Sequence, residues 1–264
     1  MKNVVITGST RGIGLGLARA FLDRGHRVMI NGRSAEVVRE VVASLNGQDR
    51  VRGCACDVTD YASVENLLQQ TRENLGPVDI WINNAGVTND HRMAWEVEPD
   101  DIARVVNINV TGMMNGCRVA LNHMLQQGHG RLYNMEGFGS NGRQFSPGMA
   151  PYGATKSAVR YYTRALIRET AGKPVQIGTI SPGIVVTDLM REPYRDRPAE
   201  WEKARKIFNI LGDRVETVTP WIADRVLADQ KSGSTIAWLT NPKAMARFMG
   251  AAFRRRDLFN GAGA

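Results

Sequence analysis

The sequence predicts an α/β protein with one doubly wound, seven-stranded parallel sheet flanked by helices. Short apolar runs alternate with amphipathic stretches almost to the end of the chain. Strands that alternate with helices build a parallel sheet, because each crossover helix returns the chain to the same edge. At 264 residues the chain is long enough to bury a sizeable core, so we expect a single domain over residues 1–264.

Seven apolar runs, most of them rich in β-branched residues, are predicted to be the strands. They are Lys2–Thr7, Arg27–Asn31, Val51–Cys56, Val78–Asn83, Gly130–Met135, Val175–Ile180 and Ser234–Leu239. The predicted helices include Leu15–Leu22, Ala35–Leu45, Ser63–Leu75, Asp101–Gln127 and Tyr152–Thr170. A charged segment at about residues 188–216 interrupts this alternation. We interpret it as a lid over the ligand site, with surface decoration as the alternative.

The first strand leads into a glycine turn and then a helix. The spacing is Thr-Gly-x-x-x-Gly-x-Gly, with glycines at positions 8, 12 and 14. Glycines let the backbone turn tightly and approach a dinucleotide, and the following helix N-terminus favours its phosphates. The alternative is a turn without a ligand. We expect the whole loop to contact a cofactor: Gly8, Ser9, Thr10, Arg11, Gly12, Ile13 and Gly14.

The segment after the second strand predicts which dinucleotide binds. Sites that prefer NAD place an acid here for the ribose 2′-hydroxyl. This chain has Arg33 and Ser34 instead, and Arg11 lies in the glycine loop. Two guanidinium groups suit a 2′-phosphate, so we expect NADPH. Two solvated arginines are the alternative.

Further ligand contacts are expected at the carboxyl ends of the next strands, where parallel sheets bind their ligands. Asp57 and Val58 follow the third strand, and Asn84, Ala85 and Gly86 follow the fourth.

Tyr152 and Lys156 stand four residues apart in a stretch that suits a helix. Residues at i and i+4 lie on one helical face. A nearby positive charge favours the phenolate and lowers a tyrosine pKa, which lets the tyrosine exchange a proton with an alcohol or carbonyl near neutral pH. The alternative is an amphipathic helix with a solvated lysine.

Together with Asn109 and Pro182-Gly183, these motifs resemble the short-chain dehydrogenases/reductases, which have a Rossmann fold, over nearly the whole chain. The resemblance implies that Tyr152 is the general acid in carbonyl reduction. It implies that Lys156 lowers the pKa of Tyr152 and binds the nicotinamide ribose, and that Asn109 holds a water in the proton relay. It places Asn84 to Gly86 in the cofactor cleft and Asp57-Val58 at the adenine. The contacts implied at the nicotinamide end are Pro182, Gly183, Ile184 and Thr187.

The resemblance also implies a homodimer or homotetramer, paired through the helices that match Asp101–Gln127 and Tyr152–Thr170.

One family position departs from the pattern. Position 139, thirteen residues before Tyr152, is glycine where the family has a serine that binds the substrate carbonyl. Ser140 is the candidate replacement. When the strand end is aligned instead, the serine position falls near Gly137, and Ser140 is then a loop residue.

The segment Asn134-Met135-Glu136-Gly137-Phe138-Gly139-Ser140 resembles one branch of the family, the chlorophyll(ide) b reductases. That branch reduces the 7-formyl group of chlorophyll b to 7-hydroxymethyl with NADPH. A large, flat, apolar ring suits a pocket formed by Phe138, Phe145, Met149, Leu189, Met190 and Phe208, for which ordinary lid packing is the alternative. Two other readings stay open: a reductase of another ketone or 3-oxoacyl substrate, and a non-catalytic NADPH-binding sensor or scaffold.

Composition sets the remaining expectations. Hydrophobic and charged residues make up 43% and 23% of the chain, as in soluble globular proteins. No run approaches the roughly 20 apolar residues of a membrane span, and no signal or transit peptide precedes the first strand. We expect a soluble, cytoplasmic protein, with a bacterial source as one option. Cys54 and Cys56 are interpreted as buried strand residues, and no metal is expected.

The net charge of +8 includes a basic C-terminal tail at about residues 243–264. Its arginines, Arg247 and Arg254 to Arg256, alternate with methionine, leucine and phenylalanine side chains. A helix that rests on a membrane surface is one reading, and a helix docked on its own domain or on a second subunit is the other. No basic stripe carries interleaved stacking aromatics, so nucleic-acid binding is not expected.

Overall fold

The structure, a computed structural model, describes residues 1–251 and 256–259. Its strands are β1 (Asn3–Ile6), β2 (Arg27–Gly32), β3 (Val51–Ala55), β4 (Ile80–Asn83), β5 (Arg131–Met135), β6 (Gln176–Ser181), β7 (Val185–Val186), β8 (Asp213–Arg214) and β9 (Thr235–Ala237). Its helices are α1 (Gly12–Asp23), α2 (Ala35–Ser44), α3 (Tyr61–Leu75), α4 (Pro99–Val106), α5 (Gly112–Gln127), α6 (Ala150–Glu169), α7 (Asp188–Arg191), α8 (Pro198–Leu211), α9 (Val215–Ala228) and α10 (Asn241–Gly250).

Seven parallel strands form the sheet in the order β3-β2-β1-β4-β5-β6-β9, which confirms the predicted fold class. The chain moves outward from β1 to β3 and then crosses to β4 on the other side of β1. The strand order therefore reverses between β1 and β4, and ligands of doubly wound sheets bind at the carboxyl edge of such a switch point.

Two hydrophobic layers cover the faces of the sheet, as the strand alternation requires. Val4 and Ile6 of β1 point into one layer, which α1, α2 and α9 cover. Val5 points into the other, which α3, α5 and α6 cover. Both layers contain fully buried large side chains, including Phe21 in the first and Trp81 in the second. The central strands are thus held rigidly from both sides, and their carboxyl ends form a fixed edge.

The predicted helix Asp101–Gln127 is divided into three parts. α4 ends at Val106, a π-helical segment runs from Asn107 to Thr111, and α5 begins at Gly112. Single-turn π-segments inside α-helices often occur at functional sites, and this one contains Asn109. The helix predicted to begin at Tyr152 starts two residues earlier, at Ala150.

The predicted lid is largely helical. Between residues 188 and 216 the chain forms α7, a 3₁₀ turn at Glu192–Tyr194, α8, and β8, which pairs with β7 in a separate two-stranded sheet. An aromatic cluster holds this region together. Its members are His91, Tyr194, Trp201, Phe208 and Phe259.

The described part of the C-terminal tail docks on its own domain. Arg247 and Arg256 both bind the carboxylate of Asp213, which is 4% exposed, at 2.8 and 2.7 Å. Arg256 also donates to two backbone carbonyls at the end of α8. Met245, Phe248 and Met249 of α10 stay exposed. The rest of the predicted tail, residues 252–255 with Arg254 and Arg255 and residues 260–264, lies outside the described residues.

The three cysteines are free and buried, which confirms the interpretation of Cys54 and Cys56. Within residues 1–251 and 256–259, no cluster of three or more potential ligands is arranged to hold a metal ion. Across the same residues, no helix is both long enough and apolar enough to span a bilayer.

Candidate active site

The glycine loop lies at the switch point and fits tightly against the loop that follows β4. Gly8 has φ +62°, a conformation that favours glycine, and a Cβ there would lie 2.9 Å from the Ala85 Cα. The backbone N–H of Gly8 donates to Asn31 Oδ1 at 3.0 Å. The ends of β1, β2 and β4 therefore converge on this turn.

Thr7 and Asn84 lock the two loops together. The backbone N–H groups of Asn84 and Ala85 both donate to Thr7 Oγ1 at 3.0 Å. In return, Asn84 Nδ2 donates to the carbonyl oxygens of Thr7 and Gly8 at 2.9 and 3.0 Å. Asn84 thus acts as a scaffold for the cleft, since its amide is already used by the protein.

Residues of the glycine loop fit a dinucleotide phosphate. Arg11 is the N-cap of α1, and the first turn of that helix contains no acidic residue. A helix N-terminus without a carboxylate favours an anion. Gly12 has φ +56°, and Thr187 lies across the loop from it, where a Cβ on Gly12 would meet the Thr187 methyl at 3.4 Å. The predicted contacts at both ends of the cofactor are thereby brought to one cleft.

Arg33 is exposed at the end of β2, and Ser34 caps α2 by accepting from Val37 N at 3.3 Å. Arg11 lies 3.9 Å from Asp188, and both side chains are more than 70% exposed. A surface ion pair of this length is weak, so it leaves the Arg11 guanidinium free to bind a phosphate. Neither Arg33 nor Ser34, the two residues between β2 and α2, is acidic, and the first acid after β2 is Glu36 in the first turn of α2.

The other predicted cofactor residues lie at the same edge. Asp57 accepts from the backbone and hydroxyl of Thr59 in a local turn. Val58 is buried against Gly112, where a Cβ would lie 2.6 Å from a Val58 methyl. Pro182, Gly183 and Ile184 follow β6, and Gly183 has φ +72°.

Asn109 is buried at the π-segment, and both ends of its amide are used. Its Oδ1 accepts from Val87 N at 2.8 Å, and its Nδ2 donates to Val87 O at 2.8 Å and to Thr155 Oγ1 at 3.0 Å. A Cβ on Gly86 would lie 3.3 Å from Asn109 Oδ1 and 3.5 Å from Lys156 Nζ. The structure therefore brings Gly86, Asn109 and Lys156 together, as the sequence predicted.

Tyr152 lies in the first turn of α6 and is 8% exposed. Asn89, a residue that the sequence did not single out, accepts from Tyr152 N at 3.1 Å through its Oδ1 and donates to Gly148 O at 2.8 Å. One of the free N–H groups at the start of α6 is thereby satisfied. Asn89 thus fixes the position of the first turn of α6, and with it Tyr152, relative to the loop that contains Asn89.

Lys156 is 5% exposed, and its Nζ donates to Met135 O at 3.2 Å. The ammonium lies 5.7 Å from the centroid of the Tyr152 ring. Deeper in the protein, Asn83 donates to Asn134 at 2.8 Å, and Asn134 donates to Thr163 of α6 at 2.9 Å. This buried network ties α6 to β4 and β5 and so fixes the pair on the sheet.

The expected fall in the pKa of Tyr152 is wrong for the side chains as they are arranged. Burial raises the pKa of the phenol to about 12. Burial also lowers the pKa of Lys156 to about 8, against the opposing charge of Glu136. The sequence shows that the two residues share a helical face, but their burial depends on the whole fold. A buried phenol is held in its protonated form at neutral pH, which is the form that donates a proton.

Gly137 occupies the space beside the Tyr152 hydroxyl. A Cβ there would lie 2.4 Å from Tyr152 Oη and 3.2 Å from two carbons of Lys156. Ser140 is buried, and its Oγ accepts from Gly137 N at 2.9 Å. The Ser140 side chain is therefore hydrogen-bonded to the backbone of Gly137 in the turn after β5. Gly137 itself, and not Ser140, is adjacent to the Tyr152 hydroxyl.

The six predicted substrate-pocket residues differ widely in exposure. Phe145 is 86% exposed, and Phe138 and Leu189 are each 36% exposed. Met149 and Met190 are half-buried, and the Phe208 ring packs on Tyr194 and Trp201 of the lid. Phe208 of α8 thus packs in the aromatic cluster. Leu189 and Met190 lie in α7, and Phe138, Phe145 and Met149 lie between β5 and α6.

Similarity to known proteins agrees with this geometry. The family model described as short chain dehydrogenase matches residues 2–198. Chlorophyll(ide) b reductase NOL of Arabidopsis thaliana is 38% identical over 93% of this chain and 72% of its own length. Probable chlorophyll(ide) b reductase NYC1 of Oryza sativa subsp. japonica is 35% identical over 98% of this chain, which spans 54% of that protein.

Among solved structures, the 3-ketoacyl-(acyl-carrier-protein) reductase from Brucella melitensis, complexed with NADH, has a similar fold. It superposes with a TM-score of 0.80 and 25% identity, over 92% of this chain and 98% of its own.

Proposed function

The chain belongs to the short-chain dehydrogenase family, and we propose that it is an NADPH-dependent aldehyde reductase acting on a chlorophyll b-type pigment. As a member of this family, the protein is an oxidoreductase with a nicotinamide cofactor. The proposed reaction converts the 7-formyl group to 7-hydroxymethyl. A hydride is added to the formyl carbon and a proton to its oxygen, so the product gains two hydrogen atoms.

The residues of the site suit this reaction. When bound, the reduced nicotinamide supplies the hydride. Tyr152 Oη supplies the proton to the carbonyl oxygen, since a phenol is protonated at neutral pH and this one lies at the open side of Gly137. Lys156 and Asn109 lie side by side along Gly86, which is the position from which they can replace the proton of Tyr152 from solvent. The buried surroundings exclude water from the reacting carbon.

The observation that carries the choice of substrate is the extent of the similarity to chlorophyll(ide) b reductase NOL. The family match ends at residue 198, in front of α8. The similarity to NOL covers 93% of the chain and therefore extends through α8 and β9 into the C-terminal region. Substrate-binding segments of this fold are added around a common cofactor core, so likeness beyond that core supports a shared substrate class.

A direct test incubates the protein with NADPH and a pigment that carries the 7-formyl group. We expect the pigment spectrum to change as NADPH is consumed, with a product heavier by two hydrogens in mass spectrometry. Tyr152→Phe removes the proton donor and should abolish the change. A pigment without the 7-formyl group is the matched control substrate. An unchanged spectrum in the presence of active, NADPH-binding protein would reject the pigment as substrate.

We also propose NADPH over NADH, because Arg11 in the glycine loop and Arg33 at the end of β2 are both exposed, and neither Arg33 nor Ser34 after β2 is acidic. A charge-assisted hydrogen bond contributes about 1.5–3 kcal/mol, so Arg33→Asp should lower kcat/KM for NADPH by about 10–100-fold and leave NADH use nearly unchanged. Arg19→Asp, an equal charge change at an exposed position of α1, is the control. An unchanged preference in Arg33→Asp would contradict the assignment.

A ketone or 3-oxoacyl thioester is the second candidate substrate. The 25% identity and close fold of the 3-ketoacyl-(acyl-carrier-protein) reductase favour it. Turnover of such ketones without turnover of formyl pigments would support it.

We propose further that residues 188–216 act as a lid, and that subunits pair through α5 and α6, where Tyr161 is 78% exposed. Sedimentation of the wild type and Tyr161→Glu tests the pairing.

A further inference from the structure

Glu136 is a buried carboxylate at the active site that the reaction described above does not use. It directly follows β5, and its backbone N–H donates to Ile180 O at 2.8 Å. Its side chain is 5% exposed. The next residue is Gly137, which lies against the Tyr152 hydroxyl. The carboxylate is therefore one residue away from the proton donor.

Cations from α6 surround this carboxylate. Lys156, Arg160 and Arg164 follow Tyr152 at intervals of four residues and lie on one face of the helix. Arg160 Nε is 3.6 Å from Glu136 Oε1. Lys156 Nζ donates at 3.2 Å to Met135 O, the carbonyl that immediately precedes Glu136. The charges of Lys156 and Arg164 and the hydroxyl of Thr179 on β6 also favour the charged form of Glu136.

The carboxylate is not fully used by these partners. Within the described residues, Glu136 Oε1 is buried without a hydrogen-bond partner, since Arg160 approaches it only at ion-pair distance. A buried carboxylate that served only to bind Arg160 would be expected to make a short, hydrogen-bonded contact. The Glu136 carboxylate instead interacts with three cations, Lys156, Arg160 and Arg164. Lys156 is the most deeply buried of the three.

We propose that Glu136 is a positioning residue that keeps the ammonium of Lys156 charged inside the cleft. Burial of an ammonium favours its neutral form, and a nearby carboxylate opposes that effect. Both effects act on Lys156: burial lowers its pKa and the Glu136 charge raises it, and the net pKa is about 8. Burial raises the pKa of Glu136 itself, while Arg160, Thr179, Arg164 and Lys156 oppose the rise.

The test measures the ionisation of Lys156 without any substrate, so its outcome is separate from the identity of the pigment. Protein labelled with ¹³C at lysine Cε is titrated by NMR, and the Lys156 signal is assigned by its loss in Lys156→Arg. In Glu136→Gln we expect its titration midpoint to move to lower pH by on the order of one unit, as for removal of an opposite charge nearby. Glu169→Gln, at the exposed end of α6, is the matched control and should leave the midpoint in place.

The rate provides a second readout. The alkaline limb of kcat/KM should move to lower pH in Glu136→Gln by the same amount, and activity should recover as the pH falls. Glu136→Asp keeps the charge and should restore most of the wild-type profile, which also covers the case in which the glutamine variant folds poorly. A Lys156 midpoint that is unchanged in folded Glu136→Gln would overturn the proposal. If the glutamine variant does not fold, the proposal is overturned by a Glu136→Asp variant that keeps the wild-type Lys156 midpoint but loses rate equally at every pH.

Discussion

Adding one methyl group at Gly137 tests the geometry of the proton donor directly. A Cβ at this position would lie 2.4 Å from Tyr152 Oη and 3.2 Å from the Cγ and Cε of Lys156. The optimum for such contacts is about 3.5 Å, so the tyrosine hydroxyl must move by about 1 Å. Overpacking of this kind typically costs about 1–3 kcal/mol of stability. A reacting group misplaced by about 1 Å costs about 100-fold in rate.

We therefore expect Gly137→Ala to lower kcat/KM about 100-fold. The melting temperature should fall by about 2–4 °C for each kcal/mol of stability lost. The assay is NADPH-dependent aldehyde reduction together with thermal unfolding. Gly153→Ala is the matched control, because this glycine is one residue after Tyr152 in the same helix and its Cβ would meet no atom within 4 Å. It should keep or slightly raise stability, since alanine favours a helix.

Gly137→Ser extends the same test to the family serine. This substitution would place the serine of the family at position 137. The serine Cβ would still lie 2.4 Å from Tyr152 Oη, as the alanine Cβ does. We expect it to lose activity like the alanine variant. Wild-type rates in both variants would refute the reasoning, because they would require the tyrosine hydroxyl to lie elsewhere.

Three further changes follow from named contacts. Asn109→Ala removes three hydrogen bonds between the π-segment, Val87 and Thr155, and we expect kcat to fall more than NADPH affinity, as measured by stopped-flow and by titration. Ser140→Ala leaves Gly137 N without its acceptor, and a loss of rate and stability together, measured by kinetics and melting, is expected. Asp213→Asn breaks the contacts of two arginines and should cost about 3 kcal/mol at neutral pH by denaturant unfolding. Burial would raise the pKa of Asp213, but hydrogen bonds from Arg247, Trp238 and Arg256 hold it below its usual range, so this stability is present above the unfolded pKa and disappears as the pH falls through the folded one.

The sheet and the cofactor edge could be predicted from local signals. A run such as Val4 to Ile6, followed by glycines at fixed spacing, indicates a strand that ends in a turn whatever the rest of the chain does. Parallel strands place all their carboxyl ends at one edge, so Gly8, Asn84 and Pro182 were expected together and are found there. The pairing of Tyr152 with Lys156 follows from helix periodicity alone.

The ionisation of the site could not be predicted in the same way. Lys156 was expected to lower the pKa of Tyr152, but that effect depends on distance and burial, which nonlocal packing sets. Asn89 reaches Tyr152 across 63 positions of sequence, and no local pattern indicates such a contact. Glu136 stands just past the end of β5, where strand alternation no longer says on which side its carboxylate lies.

Glu136 and Gly137 together bear on the aldehyde that we propose as substrate. With glycine at position 137, no side chain at that position can donate to a substrate oxygen. Ser140 Oγ accepts from the Gly137 N–H and keeps its own hydrogen. The donor that lies against Gly137 is Tyr152 Oη. A formyl carbon is less hindered and more electrophilic than a ketone carbon, so it needs less polarisation before the hydride arrives. In our proposal, a charged Lys156, supported by Glu136, is the electrostatic aid beside that donor. The proposed roles of the two neighbouring residues thus favour a compact, reactive carbonyl such as a formyl group.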